Sequence, residues 1–454
     1  MYLNMKIFEP IPEAANWLHF DMKGSIPAAD DFADHITFAR KCGYNGIVLE
    51  YENRIDWKTF PGIAKKPFTS DELNKILNRC RQEKMEVIPL IQTLGHLEWL
   101  LKNEKYRQFR ENNSVSELCP SNPEIYELLC QWIDEILQLH PGCRFIHIGG
   151  DEPFHLASCP QCRKRCGNDP KGKLAIYLEH ISKICNFVLS RGIRPIIWAD
   201  PFARSGKESL TALLPAQVIL AKWRYSGKVD CKPIQKMLAA GHDVIGCSGI
   251  CTGYHEHCMQ IEERLDDRFD NIDQWEKLCK RFHIGRINTI WGRGTGLWEI
   301  YSPWHGHLPA ILYAGNKELW KKHPWYRFFC RLNRVVLRNH PNELADIREK
   351  MLTLKTADKL EKQCLDYWIL ALKYQYLAAS ARIEHSQLIL LRQMKPYNGE
   401  DPWVVSTCLE NMRKLKAEVD IWESEAYEYF RSNMLSDAEE FISGRKSYLM
   451  TLLS

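Results

Sequence analysis

The segment 144–153 reads Arg144-Phe145-Ile146-His147-Ile148-Gly149-Gly150-Asp151-Glu152-Pro153 and joins an apolar run to two glycines and two adjacent carboxylic acids. The apolar half has the composition of a short buried strand, and the acids stand where that strand would end. Neighbouring carboxyl groups repel each other when both are ionised, so one tends to keep its proton at neutral pH. A carboxylic acid beside a carboxylate suits the cleavage of a glycosidic bond. The alternative is that both acids only complement the dipole of a helix start.

Short apolar runs alternate with longer amphipathic segments from Trp17 to Trp291, which is the pattern of βα units around a parallel sheet. We predict eight strands, at 17–21, 46–50, 87–92, 145–148, 195–198, 218–221, 243–246 and 289–291. Eight such units close a barrel, so the predicted fold class is α/β, a (β/α)8 TIM barrel. A doubly wound open sheet is the alternative, but the glycine-rich phosphate turn that normally follows its first strand is missing.

The helical segments have apolar faces at helical spacing. The segment 70–83 places Leu73, Ile76 and Cys80 on one face, and Thr69 or Ser70 can cap its start. After Gly315 the strand signals stop, and long helices are predicted over 358–394 and 403–430. We therefore predict a catalytic barrel over residues 1–315 and an α-helical C-terminal region over 316–454.

One stripe in the first long C-terminal helix is apolar and aromatic. Its members, which recur at helical spacing, are Cys364, Tyr367, Trp368, Ala371, Tyr374 and Ala378. This stripe predicts packing, either against the barrel or against a second subunit, and so leaves a homodimer open.

Composition and charge argue against several classes of function. The chain has 61 basic and 57 acidic residues without a long run of one sign, so we expect no nucleic-acid partner. The first ten residues do not resemble a signal peptide and no later stretch resembles a membrane span, which predicts a cytoplasmic protein with no membrane partner. Seventeen scattered cysteines without such a signal predict reduced thiols.

Three segments together resemble one enzyme family. They are Phe-Asp-Met-Lys-Gly at 20–24, Val-Ile-Pro-Leu-Ile-Gln-Thr-Leu-Gly-His at 87–96 and His-Ile-Gly-Gly-Asp-Glu at 147–152. They resemble glycoside hydrolase family 20, in its hexosaminidase D-like branch, over about residues 16 to 315. The resemblance implies a retaining exo-β-N-acetylhexosaminidase that releases terminal β-linked GalNAc or GlcNAc, with the substrate's own acetamido oxygen as nucleophile and an oxazolinium intermediate. It implies no cofactor, and a glycan or glycoconjugate ending in N-acetylhexosamine as the partner.

The resemblance also implies roles for the acids and for His96. Glu152 would protonate the leaving group and then, as a base, activate the water that opens the intermediate. Asp151 would stay ionised, hold the acetamido N–H and stabilise the developing positive charge. His96 matches the family's Gly-His and could tune a buried carboxylate. The alternative for His96 is a satisfied core or helix-cap histidine.

Aromatic residues at the predicted strand ends complete the expected site. By resemblance, Trp198, Trp223 and Trp291 match an aromatic cage around the acetamide methyl group. A core-only role is the alternative for each and is strongest for Trp291. Tyr225, with Tyr254 in reserve, is the expected donor to the acetamido oxygen, although this placing departs from the common family layout.

Five further polar residues are candidates for substrate binding. Asp200 could bind a sugar hydroxyl or cap a helix. The family's hydroxyl-clamping arginine is not evident near the first strand. Asp21 and Lys23 could replace it or could simply pair with each other. Arg293 and Glu299 are additional candidates.

One cysteine pair is not accounted for by the family resemblance. Cys159 and Cys162 have the spacing of half a zinc site, and Cys166 follows closely. No second pair is evident, although a partner could come from Cys251, His255, His257 or Cys258. The alternative is a helix-start turn with reduced thiols, and the implied catalytic mechanism itself uses no metal.

Two other functions compete with the glycosidase. One is a metal-dependent barrel hydrolase whose Cys and His residues ligate a catalytic ion. The other is a catalytically silent carbohydrate-binding barrel, and the intact Asp151-Glu152 pair argues against it.

Overall fold

The computed structural model describes residues 8–167, 170–203, 208–252, 265–293, 300–338, 340–393 and 402–454. The predicted closed barrel is confirmed, because eight parallel strands pair in sequence order and the last pairs with the first. The strands are β1 (Asn16–Asp21), β2 (Gly46–Glu50), β3 (Glu86–Leu90), β4 (Phe145–His147), β5 (Arg194–Trp198), β6 (Ile219–Trp223), β7 (Val244–Cys251) and β8 (Gly285–Ile290).

Helices surround the barrel and continue beyond it. Up to Gly315 they are α1 (Ala29–Lys41), α2 (Ser70–Gln82), α3 (Glu98–Leu101), α4 (Ile125–Leu139), α5 (Pro160–Cys166), α6 (Pro170–Ser190), α7 (Asp200–Ala203), α8 (Lys232–Ala239), α9 (Leu265–Phe282) and α10 (Leu308–Gly315). The later ones are α11 (Lys317–Lys322), α12 (Tyr326–Arg338), α13 (Pro341–Leu352), α14 (Lys359–Gln393), α15 (Pro402–Ser432) and α16 (Ala438–Leu452). Short 3-10 helices lie at Glu52–Arg54, Glu104–Phe109, Glu208–Leu213 and Trp304–His307. Thr69 caps α2 in a capping box with Glu72, as one of the two predicted caps.

Two apolar layers hold the barrel. Side chains from one face of the strands fill its interior. Each strand contributes at least one of them: Trp17, Val48, Ile88, Phe145, Ile196, Ile219, Ile245 and Ile287. The opposite strand faces pack under the helices. Strands that are buried on both faces read as continuous apolar runs, and this is why the sequence pattern located them.

The predicted strand ends differ most from the observed ones in β7 and β8. β7 continues through Cys251 instead of ending at 246, and β8 begins at Gly285 instead of 289. A Cβ atom at position 246 would lie 2.7 Å from the Trp275 ring, so glycine lets α9 pack closely on β7. These strands contain small and polar residues because of such tertiary contacts. The local sequence pattern does not show these contacts, so it does not indicate the full length of the strands.

The C-terminal helices pack on the barrel. The apolar stripe of α14 is buried, and Trp368 Nε1 donates a hydrogen bond of 3.0 Å to the Gly306 carbonyl. Tyr374, further along the stripe, packs on Trp422 of α15 at 5.0 Å between ring centroids. The stripe is therefore occupied by contacts within the chain.

Every cysteine in the described ranges is a free thiol, as predicted. Among the described helices, none combines the length and the apolar character needed to cross a membrane.

Candidate active site

The chain turns sharply after β4 through two glycines with left-handed backbone angles. Gly149 has φ of +70° and Gly150 has φ of +92°. A Cβ at 149 would lie 1.9 Å from Gln92 Oε1, and a Cβ at 150 would lie 3.1 Å from the Ile181 side chain. Tyr177 OH donates a 2.9 Å hydrogen bond to the Gly150 carbonyl. This turn places the two acids at the carboxyl end of the barrel, where TIM-barrel active sites lie.

Asp151 and Glu152 share one histidine. His96 Nε2 lies 3.2 Å from Asp151 Oδ2 and 3.6 Å from Glu152 Oε2. Glu152 and His96 themselves have positive φ angles, of 45° and 54°. Such angles are uncommon outside glycine and often mark functional sites. The Asp151 side chain is 8% exposed and that of Glu152 is 23% exposed, so Glu152 is the acid more open to solvent.

The electrostatics of this cluster favour a protonated His96. Burial lowers the pKa of His96, but the carboxylates of Asp151 and Glu152 outweigh burial and hold the pKa well above its ordinary value. The imidazolium therefore lies against Asp151 Oδ2. The other oxygen, Asp151 Oδ1, is buried and accepts no hydrogen bond from the described residues.

Four aromatic side chains form a continuous wall, here called the aromatic wall: Trp198, Trp223, Tyr225 and Trp291. Trp223 stacks on Tyr225 at 5.1 Å, Tyr225 meets Trp291 at 6.5 Å, and Trp291 meets Trp198 at 5.9 Å between ring centroids. Burial raises the pKa of Tyr225 well above its ordinary value, so its hydroxyl keeps its proton. The expectation that Trp291 is the most core-like of the tryptophans was wrong: Trp198 is only 1% exposed, whereas Trp291 is half-buried because it stands at the mouth of the barrel.

Asp200 connects the aromatic wall to the loop that follows β4 and carries Asp151 and Glu152, here called the acid loop. Its Oδ2 accepts a hydrogen bond of 3.2 Å from the Glu152 backbone N–H, and its Oδ1 accepts one of 3.2 Å from Trp223 Nε1. Asp200 also begins α7. The sequence left sugar binding and capping open, and the structure adds positioning of the acid loop.

His147 supports the site from within β4. Burial lowers the pKa of His147 to about 3, and its Nδ1 accepts a 3.0 Å hydrogen bond from the Gly149 N–H. Its ring packs on Trp198 at 4.2 Å between centroids. A neutral histidine thus holds both the glycine turn and the aromatic wall.

Asp21 and Lys23 lie in a buried ion network, which corresponds to the pairing alternative. Lys23 Nζ lies 3.1 Å from Asp21 Oδ1, 2.9 Å from Glu50 Oε1 and 3.4 Å from Glu52 Oε1, with its side chain only 3% exposed. Asp21 Oδ2 also accepts from the Gly292 N–H at 2.8 Å. Neither side chain is exposed enough here to form a hydroxyl clamp.

The carboxyl groups of that network differ in charge. Burial raises the pKa of Asp21 and of Glu52. For Glu50 burial acts the same way, but Lys23 and His19 outweigh it and lower the pKa. Glu50 therefore stays ionised against Lys23. Glu52 and His19 were not predicted as site residues, because only barrel closure brings these strand ends together.

Of the remaining candidates, Arg293 pairs with the C-terminal region and the others lie outside the described residues. Arg293 is buried, and its Nη2 forms a 2.6 Å ion pair with Glu440 of α16. Tyr254, His255, His257, Cys258 and Glu299 lie outside the described residues.

Cys159 and Cys162 do form part of a possible metal-binding group. Their partners among the described residues are Cys119 and Glu111, rather than Cys166 or Cys251. The Cys166 thiol instead donates to the Gly167 carbonyl at 3.2 Å because it lies at the far end of α5.

Comparison with known families decides the class of this site. The sequence model described as "Glycosyl hydrolase family 20, catalytic domain" matches residues 53–292, which is more than half of the 454-residue chain. The chain belongs to glycosyl hydrolase family 20. The matched range contains His96, the acid pair and the aromatic wall, and this membership makes the chain a glycoside hydrolase of the β-N-acetylhexosaminidase type.

Individual relatives agree with the family 20 assignment. Hexosaminidase D of Bos taurus is 29% identical over 289 residues, which are 61% of this chain and 84% of the relative. Hexosaminidase D of Homo sapiens is 29% identical over 219 residues, which are 47% of this chain but only 45% of the relative. The crystal structure of a β-N-acetylhexosaminidase from Bacteroides fragilis NCTC 9343 has a TM-score of 0.51 at 15% identity and covers 71% of this chain and 72% of that one. At that identity the structural match supports the fold alone.

Proposed function

We propose that this family 20 enzyme is a retaining exo-β-N-acetylhexosaminidase that releases terminal β-linked GalNAc or GlcNAc by substrate-assisted catalysis. The observation that carries the proposal is the environment of Asp151, whose Oδ1 is buried without a hydrogen-bond donor among the described residues. A buried acceptor in that state costs about 1–3 kcal/mol. The acetamido N–H of a bound sugar would supply the missing donor.

The two acids divide the chemistry by their surroundings. Asp151, held by His96, orients the acetamido group so that its carbonyl oxygen reaches the anomeric carbon, and stabilises the positive charge of the oxazolinium. Glu152 is the more exposed acid and protonates the departing oxygen. It then removes a proton from the water that opens the oxazolinium, which returns the sugar with its β configuration.

The aromatic wall would hold the acetamide for this attack. Apolar rings favour the acetyl methyl group over a free amine or hydroxyl at C2 and keep water from the intermediate. Tyr225 keeps its proton and can donate to the acetamido oxygen. The name of the relatives from Bos taurus and Homo sapiens, Hexosaminidase D, supports the same class of substrate. We retain a cytoplasmic location as part of the proposal because the described cysteines are free thiols.

The first test is release of nitrophenol from β-N-acetylglucosaminide and β-N-acetylgalactosaminide. We expect wild-type turnover, inhibition by a thiazoline mimic of the oxazolinium, and a loss of about 10²-fold or more in kcat for Asp151→Asn. Asp134→Asn, in a surface pair with Arg191, is the control and should keep full activity. Turnover of neither sugar by folded wild type would favour the carbohydrate-binding alternative.

A second variant separates the roles of the two acids. Glu152→Gln should lower kcat for poor leaving groups by about 10²–10⁴-fold but affect activated aryl glycosides much less, because these leave without protonation. Asp151→Asn should affect both substrate types alike, since it impairs the attack. Equal losses for both substrates in Glu152→Gln would contradict the assignment.

The metal-dependent alternative has its own distinguishing result. It requires turnover to stop on chelation while the melting temperature stays unchanged, and to return with zinc. The possible metal-binding group of the described residues contains neither Asp151 nor Glu152, and it contains no histidine.

A further inference from the structure

Four buried side chains from two loops converge beside the acid loop. Glu111 and Cys119 lie between β3 and α4, whereas Cys159 and Cys162 lie at the start of α5, after the acid pair. One ligand atom from each lies within 4.8 Å of every other. Cys119 Sγ is 3.4 Å from Cys159 Sγ and 3.7 Å from Cys162 Sγ, and Cys162 Sγ is 3.2 Å from Glu111 Oε2. We call this group the Cys3Glu cluster.

The sulfur spacing fits a tetrahedral metal site. Zinc–sulfur bonds of about 2.3 Å at tetrahedral angles place sulfur atoms about 3.8 Å apart. The observed Sγ separations are close to this value, and they exceed the roughly 2.05 Å of a disulfide. The cluster therefore has room for an ion at its centre.

The surroundings of Glu111 also favour a bound cation. Glu111 is fully buried, and among the described residues no Lys, Arg or His forms an ion pair with it. Its Oε1 accepts 2.7 Å hydrogen bonds from the backbone N–H groups of Ser158 and Cys159. These amides orient Oε2 toward the thiols. A buried carboxylate is normally paired with a cation or bound to a metal.

Hydrogen bonds to sulfur complete the arrangement. The Cys162 N–H donates to Cys159 Sγ at 3.3 Å, and Ser121 Oγ lies 3.0 Å from Cys162 Sγ. Arg165 Nη1 in turn donates to Ser121 Oγ at 2.8 Å. Donors of this kind stabilise thiolates around a metal and orient them.

We propose that the Cys3Glu cluster binds one Zn²⁺ ion through the Sγ atoms of Cys119, Cys159 and Cys162 and through Glu111 Oε2. Binding deprotonates the thiols and releases their protons to solvent. Thiolates select zinc over magnesium or calcium, and four protein ligands leave no open position for a catalytic water. The ion is therefore structural.

The proposed ion would lie between the two loops that carry the candidate catalytic residues. The loop after β3 carries His96, and the loop after β4 carries Asp151 and Glu152. A zinc ion bound by both loops adds a metal link to the contacts that already join them, which include that of His96 with the acids and the hydrogen bonds to Glu111 Oε1. Zinc binding itself does not depend on the proposed glycosidase activity.

The test measures metal rather than turnover. Wild type purified without chelator should contain one zinc per chain by elemental analysis and native mass spectrometry. Protein reconstituted with Co²⁺ should show the sulfur-to-cobalt charge-transfer absorption of a tetrahedral thiolate site. Cys119→Ala should lose the metal and this absorption. Cys166→Ser, on the same helix as Cys162 but outside the cluster, should keep both.

A conservative variant and a stability measurement guard against misfolding. Glu111→Gln should weaken zinc binding at least about tenfold. Chelation should lower the melting temperature of wild type but not that of Cys119→Ala. If Cys119→Ala does not fold, the metal content and the cobalt spectrum of wild type decide. Substoichiometric metal with no cobalt spectrum, or a Cys119–Cys159 disulfide in the native protein, would overturn the proposal.

Discussion

At the scale of single residues, His96 determines the charge at the centre of the site. Its Nε2 is within 3.6 Å of both acids, and its pKa lies well above the ordinary value, so it is a cation at neutral pH. Nearby buried histidines behave differently. Burial lowers the pKa of His180 to about 4, although its Nε2 lies 2.8 Å from the Thr93 carbonyl. His96 is therefore cationic and His180 neutral at neutral pH, because only His96 faces carboxylates.

His96→Asn should change how stability depends on pH. Because the folded-state pKa of His96 is raised, its ion pair contributes fully below about pH 6.5 and is lost as the pH rises through the raised pKa. The difference in unfolding free energy between wild type and His96→Asn should therefore shrink as the pH rises above about 6.5, by about 1.4 kcal/mol for each pH unit until the raised pKa is reached. Asparagine tolerates the positive φ at this position. Urea unfolding across this range is the measurement.

The control for this prediction is His180→Asn. The folded-state pKa of His180 is lowered, so its contribution is present above about pH 6.5 and is lost as the pH falls toward about 4. The two variants should show pH trends in separate ranges and of opposite sign. A His96→Asn difference that does not vary with pH would contradict a cationic His96.

At the scale of elements, the site depends on the turn that ends β4. Two consecutive left-handed residues redirect the chain where the strand ends. Asp200 then links the Glu152 backbone N–H to Trp223 of the aromatic wall. Only glycine adopts these angles without a penalty. The turn is held from one side by His147 and from the other by Tyr177 of α6.

Gly150→Ala should disturb this turn more than a comparable surface change. The new methyl group would meet Ile181 at 3.1 Å and Tyr177 OH at 3.2 Å, in addition to the cost of a positive φ. We expect a loss of about 2–4 kcal/mol in unfolding free energy and a fall in kcat. Gly142→Ala is the matched control, because its φ is +82° but a Cβ there meets nothing within 4 Å. Gly142→Ala should lower the unfolding free energy by only about 1–2 kcal/mol and leave kcat unchanged. Denaturant unfolding measures the first quantity and aryl glycoside turnover the second. Equal effects of the two substitutions would show that the contacts to α6 are unimportant.

At the scale of the whole molecule, the C-terminal region is tied to the barrel by polar contacts as well as by apolar packing. Arg54, after β2, forms a 2.5 Å ion pair with Asp437 at the start of α16, and both side chains are nearly buried. Lys65 lies 2.8 Å from the other Asp437 oxygen. Next to the end of β8, the buried Arg293 forms a second ion pair, with the more exposed Glu440. Helix α16 is therefore anchored to loops at the carboxyl end of the barrel.

Asp437→Asn should weaken this anchor. Burial raises the pKa of Asp437, but Arg54 and Lys65 outweigh it and hold the pKa well below its ordinary value. The pair is therefore fully present above about pH 3.8 and is lost as the pH falls below it. Removing one partner of a buried pair should cost about 3 kcal/mol at neutral pH, and asparagine tolerates the left-handed φ of 57°.

Guanidinium unfolding at neutral and at low pH measures this effect. Asp30→Asn is the control, because Asp30 pairs with Lys75 on an exposed surface and should leave stability unchanged within error. A large neutral-pH loss for Asp437→Asn that disappears in acid supports the anchor. A variant as stable as wild type at neutral pH would show that apolar packing alone holds α16.

Much of the fold and the position of the candidate acid pair could be predicted from the sequence. Strands buried on both faces appear as apolar runs, so all eight were located, and Thr69 was among the predicted caps. The motif at 147–152 identified the family and the acid pair. The carboxyl end of β7 was missed because Gly246 allows close contact with α9 rather than turning the chain.

The sequence by itself determined the order of the strands, the turn that presents Asp151 and Glu152, and the residue types of the aromatic wall, because backbone preference and hydrophobic pattern act between near neighbours. Only the tertiary structure decided that Lys23 also pairs with Glu50 and Glu52, that Arg293 pairs with Glu440, and that Glu111 and Cys119 join Cys159 and Cys162. These partners are separated by tens to more than a hundred residues. Their contacts exist because closing the barrel and packing α16 bring distant loops together, which no local pattern encodes.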